Sequence, residues 1–321
     1  MFRRNRLAAS SVILALIIIT GCSGRSASPA PPPEANVADT SAAVIAVVTF
    51  DALCEIAAVI GGDRVSAANI MPPGAEAHHF EPGARDLILL NTADLLIVCG
   101  LGFEPWADSA VKAAANGGLS VCDVSNDIEP IVLSDDESDE HVRHSAGNEN
   151  HTGTFDPHIW LSPVCAAVMS RNIMNAFIGA DPAGEEYYRR NFDDFSHRLD
   201  GLAKEYSEKF GATGNKTIVT GHAVFAYLCR DFGLTQNSVE GVFAEGEPSA
   251  RALAELIDFC LEHGITTIFA ESLSSPLVAE TLAAEAGASV EIIYTMESAE
   301  DGLSYLDRME HNLEVIYKSL Q

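Results

Sequence analysis

The chain has 321 residues and a formal net charge of −27 at pH 7, from 46 acidic and 19 basic side chains. This acidic balance argues against nucleic acid and anionic membrane surfaces as partners, and it is compatible with collecting cations. The length is sufficient for two modest domains with separate cores.

The N-terminus has the pattern of an export signal. Three arginines lie within the first six residues, and an apolar run follows at residues 11–20. The run is too short for a membrane-spanning helix, so it is excluded from the fold prediction. It ends in Ile-Thr-Gly-Cys, which resembles a bacterial lipobox. We therefore predict a signal peptide at residues 1–21 and an acyl chain (palmitate) on Cys22; a plain secreted protein with a chance cysteine is the alternative.

A Ser/Ala/Pro-rich stretch at residues 22–42 follows the signal. Such a composition cannot bury apolar surface, so we predict a tether. Strand and helix patterns then alternate through a predicted N-terminal α/β lobe at residues 43–170. The predicted strands are 44–48, 65–70 and 94–99, and the predicted helices are 51–60, 85–91 and 105–115. This alternation favours a mainly parallel sheet covered by helices on both faces.

One stretch of this lobe breaks the alternation. Residues 134–151 contain six acidic side chains and almost no apolar ones, together with His141, His144 and His151. The composition predicts a mobile loop, and the histidines indicate a role as an auxiliary loop that captures metal weakly. A solvated acidic loop without function remains the alternative.

A linker at residues 171–214 joins this lobe to a second α/β series at residues 215–321. Aromatic and leucine side chains recur at spacings of three and four through residues 185–210, which predicts one long amphipathic helix. The second series has predicted strands beginning at Thr217 and near residues 266–270 and 290–294, and predicted helices at 250–262 and 277–286. The fold prediction is therefore α/β, with two lobes joined by one long linking helix.

Six cysteines follow Cys22, all inside apolar segments and none in a Cys-x-x-Cys pair. Although an exported protein permits disulfides, this placement favours small buried thiols over disulfides.

Three histidines stand in three loops that are far apart in the chain: His78, His158 and His222. Strand-like runs at residues 65–70 and 217–220 precede two of them. Ligands of open α/β sheets bind outside the carboxyl ends of the strands, so three such loops could meet at one metal ion. Neutral imidazole is a good ligand for zinc, which takes four ligands in a tetrahedron. Ordinary surface histidines remain the alternative.

Eight short motifs follow the tether, and their order and spacing together are specific. They are IGGDRV at residues 60–65, PPGAEAHHFEP at 72–82, ADLLIV at 93–98, GLGFE at 100–104, DPHIWL at 156–161, GHAVFAY at 221–227, EPS at 247–249 and SYLDRMEHNL at 304–313. Through these motifs the chain resembles a known family, the zinc-type solute-binding lipoproteins of ABC metal importers. The likeness covers essentially the whole chain after the tether.

The resemblance implies two α/β lobes around a metal, joined by one long rigid helix. It implies a monomer without enzymatic activity, held by its lipid on the extracytoplasmic face of the cell membrane, that captures Zn²⁺ and delivers it to an ABC permease. Carried over residue by residue, it makes His78, His158 and His222 the ligands. Manganese-type relatives have a glutamate in place of His222, so the third imidazole favours zinc.

The chain departs from the family pattern at the fourth ligand. Met296 stands where manganese-type relatives place an aspartate. We rank Glu297 first among the acids that could replace it, then Glu271 and then Glu76, and water is the other candidate.

Three other functions remain open from the sequence. A manganese- or iron-binding member of the same family would use the same loops. A zinc hydrolase would need an open water position and a general base, for which Glu81 or Glu271 could serve. A surface adhesin is a further alternative, because some relatives carry that label.

Overall fold

The computed structural model describes residues 42–75, 77–133, 154–242, 249–272 and 275–321. It contains two four-stranded sheets, and every strand pairing in them is parallel. Helices flank both sheets, so the predicted α/β class with two lobes and one long linking helix is confirmed.

The sheet of the N-terminal lobe has the order β2-β1-β3-β4. Its inner strand β3 reads Leu-Leu-Ile-Val and is buried throughout, as expected for a strand covered on both faces. The bounds are β1 Val44–Val48, α1 Asp51–Gly61, β2 Val65–Asn69, α2 Ala84–Thr92, β3 Leu95–Val98, α3 Ala107–Ala114 and β4 Ser120–Asp123. Strand β4 was not predicted, because it is a four-residue edge strand whose first two residues are exposed.

Two helices follow in the middle of the chain, α4 Pro163–Ala180 and α5 Glu185–Ala212. Ser162 caps α4, since its side chain accepts hydrogen bonds from the backbone N–H groups of Val164 and Cys165. Helix α5 is the predicted long helix, extended by two residues, and its 28 residues span about 42 Å. Helix α4 was not predicted from the sequence.

The second sheet has the order β6-β5-β7-β8, which repeats the topology of the first. The bounds are β5 Thr217–His222, α6 Ala226–Phe232, β6 Thr235–Glu240, α7 Ala250–His263, β7 Thr267–Glu271, α8 Leu277–Ala286, β8 Ser289–Ile293 and α9 Tyr305–Ser319. Sequence analysis did not predict α6, β6 or α9.

The apolar interior differs from the expected pair of separate cores. One central core contains buried side chains from both lobes and from α4, α5 and α9, whereas two smaller cores lie under α2 and α3 and under α7 and α8. The indole of Trp160 illustrates the connection, because its Nε1 donates to the carbonyl of Thr295 at 2.7 Å. The lobes share a core because α1, α5 and α9 pack against one another.

The six cysteines within the described residues are free thiols, as the sequence favoured. Every helix of the described ranges is too short or too polar to cross a bilayer.

Candidate metal centre

The three predicted histidines come from three different segments. His78 lies in the loop between β2 and α2, and His222 is the last residue of β5. His158 precedes a short 3₁₀ turn before α4, and an isolated bridge pairs Phe155, three residues before it, with Val132.

Packing of the lobes brings these three side chains together. One nitrogen from each imidazole lies within 4.8 Å of the other two, and the ring centroids are 5.2, 5.4 and 5.8 Å apart. The Nε2 atoms of His78 and His158 are 3.3 Å apart. Two nitrogens at tetrahedral positions around zinc, each about 2.05 Å from the ion, are separated by about 3.3 Å. This pair therefore already has the spacing of a zinc site.

Burial keeps the central imidazole neutral. His158 is fully buried and His222 is 6% exposed. Desolvation of the charged form lowers the pKa of His158 to about 3. A neutral ring is the form that binds a metal ion, so no proton has to leave His158 near neutral pH.

Asp156 orients His158, a role that sequence analysis did not assign. Its Oδ1 lies 2.9 Å from Nδ1 of His158 and also accepts the backbone N–H of that residue at 2.8 Å. Both side chains are fully buried. A carboxylate beside Nδ1 places the proton there, so the lone pair of Nε2 faces the other histidines. The only sequence signal was an acid two residues before the histidine in Asp-Pro-His.

Glu271 supports His222 through the main chain. Its Oε1 accepts the backbone N–H of His222 at 2.9 Å. The ring of His222 is oriented separately, with Nε2 2.7 Å from the carbonyl oxygen of Val242. Because a carbonyl only accepts, Nε2 is protonated in this arrangement and Nδ1 carries the lone pair.

No carboxylate joins the cluster among the residues that the structure describes. The group whose ligand atoms lie within 4.8 Å of one another consists of the three histidines, without Glu271 or Glu297. Glu297 is half-buried, and Met296 beside it is fully buried with a φ of 61°. The choice among Glu297, Glu271 and water stays a prediction.

Several predicted sites lie outside the described residues: Cys22, Glu76 and the loop histidines His141, His144 and His151.

Aromatic rings form one wall of the centre. Phe103 packs edge-on against His78 at 5.2 Å, and Trp160 lies 5.1 Å from His158. The rings of Phe103 and Trp160 also contact each other at 5.2 Å. This wall excludes water from one side of the histidines and holds their ring planes. The sequence contained both aromatics within its motifs but gave no reason to place them at the metal.

Comparison with known proteins identifies the family. The profile described as ZnuA, the periplasmic component A of zinc-uptake complexes, matches residues 46–319. The chain belongs to the ZnuA family. Members of this family are solute-binding components of uptake systems rather than enzymes, and they work with ABC permease components.

Individual relatives span most of the chain. A protein of Treponema pallidum (strain Nichols), whose name refers to metal binding without specifying the metal, is 42% identical over 273 residues, covering 85% of this chain and 86% of the relative. The high-affinity zinc uptake system protein ZnuA of Bacillus subtilis (strain 168) is 32% identical over 279 residues, with coverage of 85% and 86%.

A solved structure shows the same ZnuA-like fold. The laminin-binding protein Lmb of Streptococcus agalactiae, described as bifunctional with adhesin and metal-transporting activity, superimposes with a TM-score of 0.75. It is 30% identical, and the match covers 87% of this chain and all of that one. The family expected from the sequence motifs is confirmed.

Proposed function

We propose that this chain binds one Zn²⁺ between its lobes, outside the cytoplasm, and delivers the ion to an ABC permease without chemistry of its own. The observation that carries the proposal is the convergence of His78, His158 and His222, with their ligand nitrogens within 4.8 Å of one another. Membership of a family of zinc-uptake components supports it.

The donor set supports zinc over manganese. Zinc accepts nitrogen ligands in a tetrahedron, whereas manganese prefers carboxylates and water in an octahedron. Within the described residues the cluster offers imidazole nitrogens and no carboxylate oxygen. The aromatic wall of Phe103 and Trp160 leaves little room on its side for extra ligands. We therefore expect the manganese- or iron-binding alternative to fail in direct competition.

Titration of metal-free chain tests the proposal. Calorimetry should show one tight zinc site per chain, and a large excess of Mn²⁺ should not displace the bound zinc. The zinc-loaded chain should show no turnover of peptide, ester or phosphoester substrates, because Glu271, one candidate base of a hydrolase, is hydrogen-bonded to the main chain of His222. Absence of a tight zinc site would refute the function, and zinc-dependent turnover would favour the hydrolase.

The proposed location is the outer face of the cell membrane. The protein would be a monomer. Lipidation of Cys22 and the tether at residues 22–42 would hold its two metal-binding lobes close to the permease. The basic start, the short apolar run and Ile-Thr-Gly-Cys support this. Mass spectrometry of the mature N-terminus should find an acylated Cys22. An unmodified N-terminus at another residue would contradict the anchor.

The auxiliary loop at residues 134–151, with its acidic side chains and three histidines, is proposed to capture zinc weakly without forming the tight site. This proposal is supported by the three clustered histidines, which all come from segments outside residues 134–151. Deleting residues 134–151 should leave one tight site and remove only weak additional binding in calorimetry. Loss of the tight site on deletion would instead make the loop part of it.

A further inference from the structure

A loop of the C-terminal lobe is bound to the first turn of α1 in the N-terminal lobe. This bridging loop, residues 295–298, follows β8. The backbone N–H of Asp51 donates to the carbonyl of Glu297 at 3.2 Å, and that of Ala52 donates to the carbonyl of Met296 at 3.2 Å. The first N–H groups of a helix have no partner within the helix, so the bridging loop caps α1 from the opposite lobe.

The bridging loop also contacts two of the segments that carry the histidines. Ser298 Oγ accepts the backbone N–H of Gly74 at 3.2 Å, and Gly74 lies four residues before His78. The carbonyl of Thr295 accepts Nε1 of Trp160, which lies two residues after His158. A shift of the bridging loop would therefore move the His78 and His158 segments directly.

The side chain of Arg308 in α9 bonds the bridging loop and also reaches the N-terminal lobe. Its Nη1 donates to the carbonyl of Ser298 at 2.8 Å and lies 3.2 Å from Glu300 Oε2. Its Nη2 donates to Asp51 Oδ2 at 2.8 Å and to a carboxylate oxygen of Glu55. The guanidinium thus joins the C-terminal lobe to two acids on α1 of the N-terminal lobe.

Arg308 carries the positive charge that balances the acids at this connection. The guanidinium is fully buried and faces three carboxylates, those of Asp51, Glu55 and Glu300. Burial raises the pKa of Glu55 and of Glu300. Without the guanidinium, the three acids would lose their counter-charge and would either repel one another or take up protons. Either outcome removes the ion pairs that join α1 to the C-terminal lobe.

We propose that Arg308 is a positioning residue for zinc binding, acting through the bridging loop and the Ser298–Gly74 contact on the loop that holds His78. This inference rests on the proposed function. An ion-pair cluster that does not contact the zinc ion sets the separation of the lobes around it. A rigid separation slows zinc release, because the histidines cannot relax away from one another.

Two variants test this at different points of the connection. Arg308→Met removes the guanidinium, and Ser298→Ala removes only the acceptor of the Gly74 N–H while it keeps the carbonyl that Arg308 binds. Zinc affinity and the rate of zinc release to a fluorescent chelator are measured below the melting temperature of each metal-free variant. Each variant should raise the zinc Kd about tenfold and speed release, the scale typical of residues that support metal ligands indirectly.

Arg64→Met is the control, an ion-paired arginine that is 36% exposed. Its guanidinium binds Asp181 at 2.6 Å, near the junction of α4 and α5, and contacts neither the bridging loop nor a clustered histidine. The control should change the melting temperature without changing zinc release. If Arg308→Met does not fold, Arg308→Lys replaces it, since an ammonium lacks the planar fork that spans both lobes.

Wild-type Kd and release rate in Ser298→Ala and in the folded Arg308 variant would overturn the inference, whatever their melting temperatures. A merely structural role would lower the melting temperature and leave zinc release unchanged. If the unaltered chain itself binds no zinc, the proposed function fails; if it binds zinc and the variants release it equally slowly, only this inference fails.

Discussion

Replacing His158 with Ala is expected to weaken zinc binding by about 100- to 1,000-fold, because a binding free energy of about 10–16 kcal/mol is shared among three or four ligands. His158 is the central ligand, since its Nε2 lies 3.3 Å from that of His78 and its ring is fully buried. His78→Ala and His222→Ala should cause losses of the same order. Calorimetric competition with a chelator of known affinity measures each Kd.

His263→Ala is the control for this prediction. His263 lies in the last turn of α7, stacks on Phe259 and bonds its carbonyl, and is not in the cluster. Its removal should leave the zinc Kd unchanged. Wild-type affinity in any one of the three ligand variants would remove that histidine from the proposed site.

Asp156→Asn is expected to reduce zinc affinity about 10- to 100-fold while the fold is retained, the usual cost of losing the partner of a ligand histidine. The carboxylate sets the tautomer of His158 and places a negative charge close to a dication bound by neutral imidazoles. An asparagine of the same shape can still accept from Nδ1 but carries no charge. Two quantities are measured for the variant and for the unaltered chain: the zinc Kd and the melting temperature of the metal-free protein.

Asp231→Asn serves as the matched control. Asp231 is also a mostly buried carboxylate with a short hydrogen bond, from Ser162 Oγ, and it contacts no clustered histidine. Its substitution should change stability alone. Equal zinc affinities of Asp156→Asn and the unaltered chain would show that the carboxylate does not tune the site.

The elements that sequence analysis predicted correctly have strong local patterns. The buried strand at residues 95–98 is a continuous apolar run, and α5 repeats its aromatic residues along one face. Three of the elements that it missed, β4, β6 and α4, lack such patterns. Strands β4 and β6 are at sheet edges, where exposed residues interrupt the apolar run, and α4 is apolar on most of its surface because it lies in the central core.

The α/β class and the motifs that contain the three histidines could be predicted from the sequence, because each strand, helix and motif is a local pattern of neighbouring residues. The side chains that support these histidines could be identified only after the chain had folded. Glu271 binds the main chain of His222 across 49 residues, and Arg308 binds Glu55 across 253. The packing of lobes and helices determines which partner lies within hydrogen-bonding distance of a buried charge or a buried N–H group.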